Sequence, residues 1–158
     1  RGGGVAAPRA RGARRDADVQ SARRADMHAT ARPTSAGAEW TVQIGRRLLI
    51  GRKPALRELQ ALRDAGVGAI VSVVQAHEYT VQPEQIRRMG FRHLELSVKE
   101  GEPLTLEQLV DGVGFIRQCE ARGESVFAHC RKGQVRCVML AAAWRMLAQG
   151  ISADAASE

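Results

Sequence analysis

Between residues 40 and 151 the spacing of apolar and polar positions changes period repeatedly, and each change marks an element. Residues 41–44 and 47–50 read as short strands broken by Gly45, a hairpin-like start to the domain. Pro54 opens a helical stretch with Leu56, Leu59 and Leu62 on one face, and Gly66 closes it. Residues 69–74 form a nearly continuous β-branched run, as expected of a strand buried on both faces. A short helix over 83–89 ends at Gly90, and residues 91–98 alternate as a strand. After a loop over 99–104 with Gly101 and Pro103, Thr105 and Gln108 form a capping box for a helix running to about Arg122. Gly123 ends that helix, residues 125–129 read as another buried strand, and 134–148 as a helix stopped by Gly150. Strands alternating with helices predict an α/β domain with a central, mostly parallel sheet of four to five strands flanked by helices. Ser152 looks like the N-cap of a helix that the chain stops too soon to complete, so a C-terminal truncation is expected.

The first 37 residues follow different rules. They hold no Leu, Ile, Phe, Trp or Tyr, and carry eight arginines against Asp16, Asp18 and Asp26, which is 8 − 3 = +5. The remaining residues carry 24 − 8 = 16 basic and 17 − 3 = 14 acidic side chains, only +2 of the total of +7. A segment so poor in apolar groups cannot offset its ordering entropy, so 1–37 is expected to be a disordered basic tail, with 38–158 as the folded domain. An organellar transit peptide also suits this composition, which would place the protein in mitochondria or plastids rather than the cytoplasm. No aromatics interleave the arginines for base stacking, so no nucleic-acid partner is expected. No apolar run reaches the ~18 residues of a membrane helix. Cys119, Cys130 and Cys137 are too few for a disulfide framework, and a reducing compartment is the simpler reading.

The chemistry concentrates at 126–136, Val-Phe-Ala-His-Cys-Arg-Lys-Gly-Gln-Val-Arg. A strand leads into Cys130, five residues follow, and Arg136 stands at the start of an apolar helix. Gly133 permits a tight turn, so the amides of Arg131, Lys132, Gly133, Gln134, Val135 and Arg136 can face inward as an anion nest. The helix adds its positive end at the same place, a field that favours thiolate over thiol. His129, Arg131 and Lys132 are expected to push Cys130 the same way. The planar fork of Arg136 can hold two oxygens of a phosphate. The chemistry that follows is in-line attack by Cys130 on a phosphate monoester, then hydrolysis of a cysteinyl-phosphate, with no metal or other cofactor required.

This segment resembles the cysteine-dependent tyrosine and dual-specificity phosphatase superfamily, whose signature is His-Cys, five residues, then Arg. The likeness extends over roughly residues 40–151, including Arg46-Arg47-Leu48-Leu49-Ile50-Gly51, residues 56–74, 90–98 and 121–126. Leu96-Ser97-Val98 and residues 105–115 lean towards the branch of mitochondrial phosphatidylglycerophosphate phosphatases. The resemblance implies Cys130 as nucleophile, Arg136 and the 131–135 amides as phosphate ligands, and His129 as the residue that orients the loop. It implies as substrate a phosphorylated protein, a phospholipid or a small phosphomonoester.

Two positions depart from the family pattern. Cys137 replaces the Ser or Thr whose hydroxyl helps the thiolate leave. It reads either as a small core residue or as a resolving thiol for an oxidised Cys130. No aspartate lies between Asp64 and Asp111, where the family keeps its general acid. Glu100 stands in that loop with Glu102 two residues on, and a catalytic acid or solvated charges both fit them. A phosphate-binding module without catalysis, and a rhodanese-like or redox thiol protein, are the alternatives from other classes. His77 reads as a loop residue, at the pocket rim or facing solvent, and His93 as a polar position on its strand. No histidine pair has metal-ligand spacing.

Overall fold

The computed structural model describes residues 40–150. The basic tail, the 37/38 boundary and the helix expected after Ser152 lie outside the described residues. Five strands form one sheet: β1 (Thr41–Gln43), β2 (Leu48–Arg52), β3 (Val67–Val73), β4 (Arg92–Leu96) and β5 (Ser125–Cys130). Their order is β1-β2-β5-β3-β4; β1 pairs antiparallel with β2, and every other pairing is parallel. The helices among the described residues are α1 (Leu56–Asp64), α2 (Pro83–Arg88) and α3 (Leu106–Ala121) between strands and α4 (Arg136–Gln149) after β5, with a 3₁₀ turn at Ala76–Glu78. None of the described helices is long and apolar enough to cross a membrane.

Side-chain alternation along the strands divides the core in two. Leu48, Ile50, Val71, Val126 and Ala128 face one layer with Val113 and Ile116 of α3 and Leu140 and Trp144 of α4. Leu49, Ile70 and Phe127 face the other, against Leu59 and Leu62 of α1 and Ile86 of α2. Strand β5 is central, and its residues 126–130 are all buried. A parallel central strand ends in the crevice at the carboxyl edge of the sheet, where such folds place their ligands. Cys130 is the last residue of that strand.

Several expected boundaries move, each for a local reason. Helix α1 begins at Leu56 rather than Pro54, because Glu58 reaches back to cap the Ala55 N–H at 2.7 Å. Leu56 itself is half-exposed, so the buried face of α1 narrows to Leu59 and Leu62. Helix α4 begins at Arg136, two residues later than its apolar pattern suggested, because residues 131–135 are used in the turn around Cys130. On α4, Trp144 is buried, whereas Met146 and Leu147 near its end are exposed.

Phe127 is fully buried, edge-on to Trp40 at 5.4 Å and stacked on His129 at 5.8 Å between ring centroids. Phe127→Ala is expected to cost about 3–5 kcal/mol of stability. Urea unfolding should show a lower midpoint with an unchanged slope.

Candidate active site

Cys130 leaves β5 at the floor of a tight turn. Gly133 makes that turn possible on two counts. Its φ of +75° suits glycine, and an added Cβ would sit 2.6 Å from both the Arg52 nitrogen and the Gly51 carbonyl carbon. The turn therefore lies directly against the end of β2, and the Gly133 N–H donates to Cys130 Sγ at 3.2 Å. The sulfur of Cys137, in the first turn of α4, lies 3.5 Å from that of Cys130. Both cysteines are buried.

These donors set the charge on the sulfur. Cys130 is pulled down to about 4, first by the Cys137 thiol and then by backbone N–H groups including those of Val135 and Gly133, against an opposing desolvation. Cys137 is pushed up for the complementary reason and keeps its proton, with the Cys130 sulfur at 3.5 Å and the Gly51 carbonyl at 3.7 Å as its acceptors in reach. Cys137 is thus a core residue and a neighbour of the sulfur at once.

His129 works differently from the sequence expectation. Burial drives its pKa down to about 3, so the ring is neutral and lends the sulfur no positive charge. Its Nε2 lies 2.8 Å from Ser72 Oγ, and His93 Nε2 lies 2.8 Å from the same hydroxyl. Register explains the meeting, since Ser72 and His129 are paired across β3 and β5. A hydroxyl can donate to one ring and accept from the other, which fixes His129 at the base of the turn. Burial likewise holds His93 down, to about 4.

Arg136 also differs. Its Nη1 and Nη2 donate to Glu78 Oε2 and Oε1, both at 2.8 Å, and Nη1 donates again to the Val98 carbonyl at 2.7 Å. Both side chains are about 95% buried. The terminal fork expected to hold phosphate is therefore committed to a carboxylate. Of the five guanidinium N–H groups, the Nε–H and one Nη2–H form the edge left for a phosphate. Glu78 is held ionised at about 2 by this bidentate pair. Sequence reading missed Glu78 altogether. Its only signal was a carboxylate a few residues past the end of a buried strand, at the edge where α/β folds gather ligands.

Glu100 reaches the turn and Glu102 serves it only through its backbone. A Glu100 oxygen accepts from Arg131 Nη1 at 2.5 Å, and the other lies 3.5 Å from Lys132 Nζ. The Arg131 guanidinium, ahead of Lys132, lowers the Glu100 pKa. Arg131 and Lys132 thus turn to Glu100 rather than to the sulfur. The Glu102 N–H donates to the Lys99 carbonyl at 3.1 Å and closes the loop around Gly101. Gln134 and Val135 face outward with only their backbone in the turn, and His77 is exposed on the 3₁₀ turn.

A thiolate under a ring of amides, beside a buried arginine at the start of a helix on a central parallel strand, defines a cysteine-dependent phosphatase site. Residues 22–150 match the family described as Tc-R-P, polymorphic toxin system, DSP-PTPase phosphatase, and the chain belongs to it. It is 29% identical over 119 residues to human "Phosphatidylglycerophosphatase and protein-tyrosine phosphatase 1", covering 71% of this chain and 58% of that protein. It is 26% identical over 100 residues to the Arabidopsis thaliana phosphatidylglycerophosphate phosphatase PTPMT2, covering 61% of this chain and 43% of the relative. The chain therefore spans between two fifths and three fifths of the length of these curated relatives. Among solved structures, the active form of Tk-PTP superposes with a TM-score of 0.71 at 26% identity, over 74% of this chain and 79% of that one. The complex of PTPMT1 with PI(5)P has the same TM-score at 24% identity, over 75% and 79%. The expected lean towards the phosphatidylglycerophosphate branch agrees with these likenesses.

Breaking the buried pair is expected to be costly. Glu78→Ala leaves the Arg136 guanidinium without its counter-charge and should lose about 3–5 kcal/mol, read as a drop in the thermal midpoint. The native carboxyl titrates near 2 against an ordinary value of 4.5. Its contribution is therefore complete above the ordinary value and is lost as pH falls towards 2. In Glu78→Gln this acid-limb slope should disappear. Alkylation of Cys130 by iodoacetamide, followed by peptide mass, should show a midpoint near pH 4. Cys137→Ala should move that midpoint upward.

Proposed function

We propose that this chain hydrolyses phosphate monoesters through a cysteinyl-phosphate. The observation that carries the reading is the ionised Cys130 beneath the Gly133 amide, with the free edge of Arg136 alongside. A phosphate seated in this cup has its equatorial oxygens neutralised by amides and guanidinium, as its developing charge requires. The Cys130 sulfur attacks phosphorus in line, the S–P bond forms and the P–O bond to the leaving group breaks. Glu100, once protonated and free of Arg131, supplies the proton to the departing oxygen. Water then attacks phosphorus, releasing inorganic phosphate and the thiolate. The Cys137 S–H takes the place of the usual hydroxyl and stabilises the departing sulfur.

His129 and Ser72 act here as positioning residues, because Ser72 holds the His129 ring and His129 leads directly into Cys130. Between protein and lipid phosphomonoesters, the human and Arabidopsis likenesses favour a phosphorylated lipid or its headgroup.

The test is phosphate release from p-nitrophenyl phosphate and from an alkyl phosphate. Cys130→Ser is expected to abolish both. Glu100→Gln should lower the alkyl rate by about 10²–10⁴-fold and leave the aryl rate within about tenfold, because an aryl oxide needs little protonation. An aryl phosphate untouched by wild type, with phosphate or vanadate still bound, would instead identify a binding module. On the acid side, kcat/KM should fall as pH drops through about 4, where Cys130 becomes protonated.

A further inference from the structure

We propose that His93, acting through the Ser72 hydroxyl, fixes which ring nitrogen of His129 carries the proton, and so holds the turn under Cys130 in its donor-rich shape. The inference rests on the phosphatase reading and adds to its site a positioning residue from the edge strand β4. Strand β3 lies between β5 and β4 in the sheet. Ser72 on β3 pairs with His129 on β5, while His93 on β4 pairs with Ile70, two residues before Ser72. Residues two apart on a strand share a face, so both rings reach the one hydroxyl. Each Nε2 stands 2.8 Å from Ser72 Oγ.

A hydroxyl carries one proton and can give it to only one of the two rings, so the network has a direction. Burial keeps both rings neutral, with a single proton each. Both leave a buried Nδ1 without a full hydrogen bond. A proton on His93 Nδ1 would be a buried donor with nothing to meet, which is costly, so its proton belongs on Nε2. His93 then donates to the Ser72 oxygen, the Ser72 hydroxyl donates to His129 Nε2, and the His129 proton is left on Nδ1. There it has an acceptor that His93 lacks, because the main chain of Cys130 beside the ring favours a proton on it. The opposite order sets a bare Nδ1 against the Cys130 main chain and strains the turn that aims the Gly133 N–H at the sulfur, 3.2 Å away. The charged groups facing His93 are Glu95 and Arg87, which pair with each other and act on it in opposite directions. The edge-on Tyr79 ring, 6.3 Å away between centroids, packs beside it. Below about 4, where His93 gains a second proton, its Nε2–H still donates, so acid leaves the order intact.

Nitrogen-15 spectra of the histidine rings of the full chain read the order directly. Near neutral pH, His129 should be protonated on Nδ1 and His93 on Nε2. A His129 protonated on Nε2 would overturn the proposal, whatever the activity of the enzyme. The consequence for the site is read from the pH midpoint of Cys130 alkylation by iodoacetamide, which needs no ester. Ser72→Ala and His93→Leu should raise it by about one unit and about half a unit, so that thiolate at a fixed pH below the midpoint falls about tenfold and about threefold. Ser72→Thr keeps the hydroxyl, and the amide of His93→Gln keeps an N–H where Nε2 stood; both should restore the wild-type midpoint. Thermal midpoints show that the four variants fold. Lost stability in Ser72→Ala and His93→Leu with an unmoved alkylation midpoint would reveal a packing role alone and overturn the proposal. A His93→Gln that behaves as His93→Leu would do the same. The stated protonation and midpoint shifts in a chain that cleaves no ester would uphold the proton order and remove only the phosphatase reading.

Discussion

The bidentate pair between Glu78 and Arg136 holds the site in one shape. A guanidinium and a carboxylate removed from water are costly unless their hydrogen bonds are nearly ideal, and both distances here are 2.8 Å. Three segments distant in sequence meet at this pair: the 3₁₀ turn after β3, the loop after β4 through the Val98 carbonyl, and the first residue of α4. Moving the 3₁₀ turn or the start of α4 would leave a buried charge unpaired, and moving the loop after β4 would take an acceptor from Arg136. The same pairing decides which edge of Arg136 faces the cup, and so how a phosphate must sit.

Around that pair the electrostatics are built from donors rather than from nearby full charges. The most obvious cations beside Cys130, Arg131 and Lys132, turn outward to Glu100, and His129 is kept neutral by burial. What lowers the thiol is a thiol donor and backbone amides aimed at the sulfur. Such dipoles are fixed by the turn and need no reorganisation when charge moves onto phosphorus. A sulfur 3.5 Å away replaces the hydroxyl expected in this family, and it remains a donor because its own ionisation is suppressed.

The buried histidines show how a sheet can serve a loop. Ser72 sits at the register position opposite His129 and bridges it to His93 one strand further on. Three polar side chains thus occupy the α1–α2 face beside otherwise apolar neighbours. Together their hydrogen bonds hold the ring whose backbone continues directly into Cys130.

The linear chain determined the alternation of elements, an α/β layering of four to five strands and the candidate nucleophile, because these depend on local periodicity and on one contiguous segment. Gly133 and the Cys130-to-Arg136 spacing were readable for that reason, since a tight turn writes its requirements into adjacent residues. Glu78, Ser72 and the pairing of Glu100 with Arg131 were not readable. Each depends on strands or loops brought together from more than twenty residues apart, and a lone Glu or Ser carries no periodic signature. The protonation of His129 and Cys137 was likewise decided only in three dimensions, because desolvation and donor geometry are properties of packed neighbours and not of the order in which residues are joined.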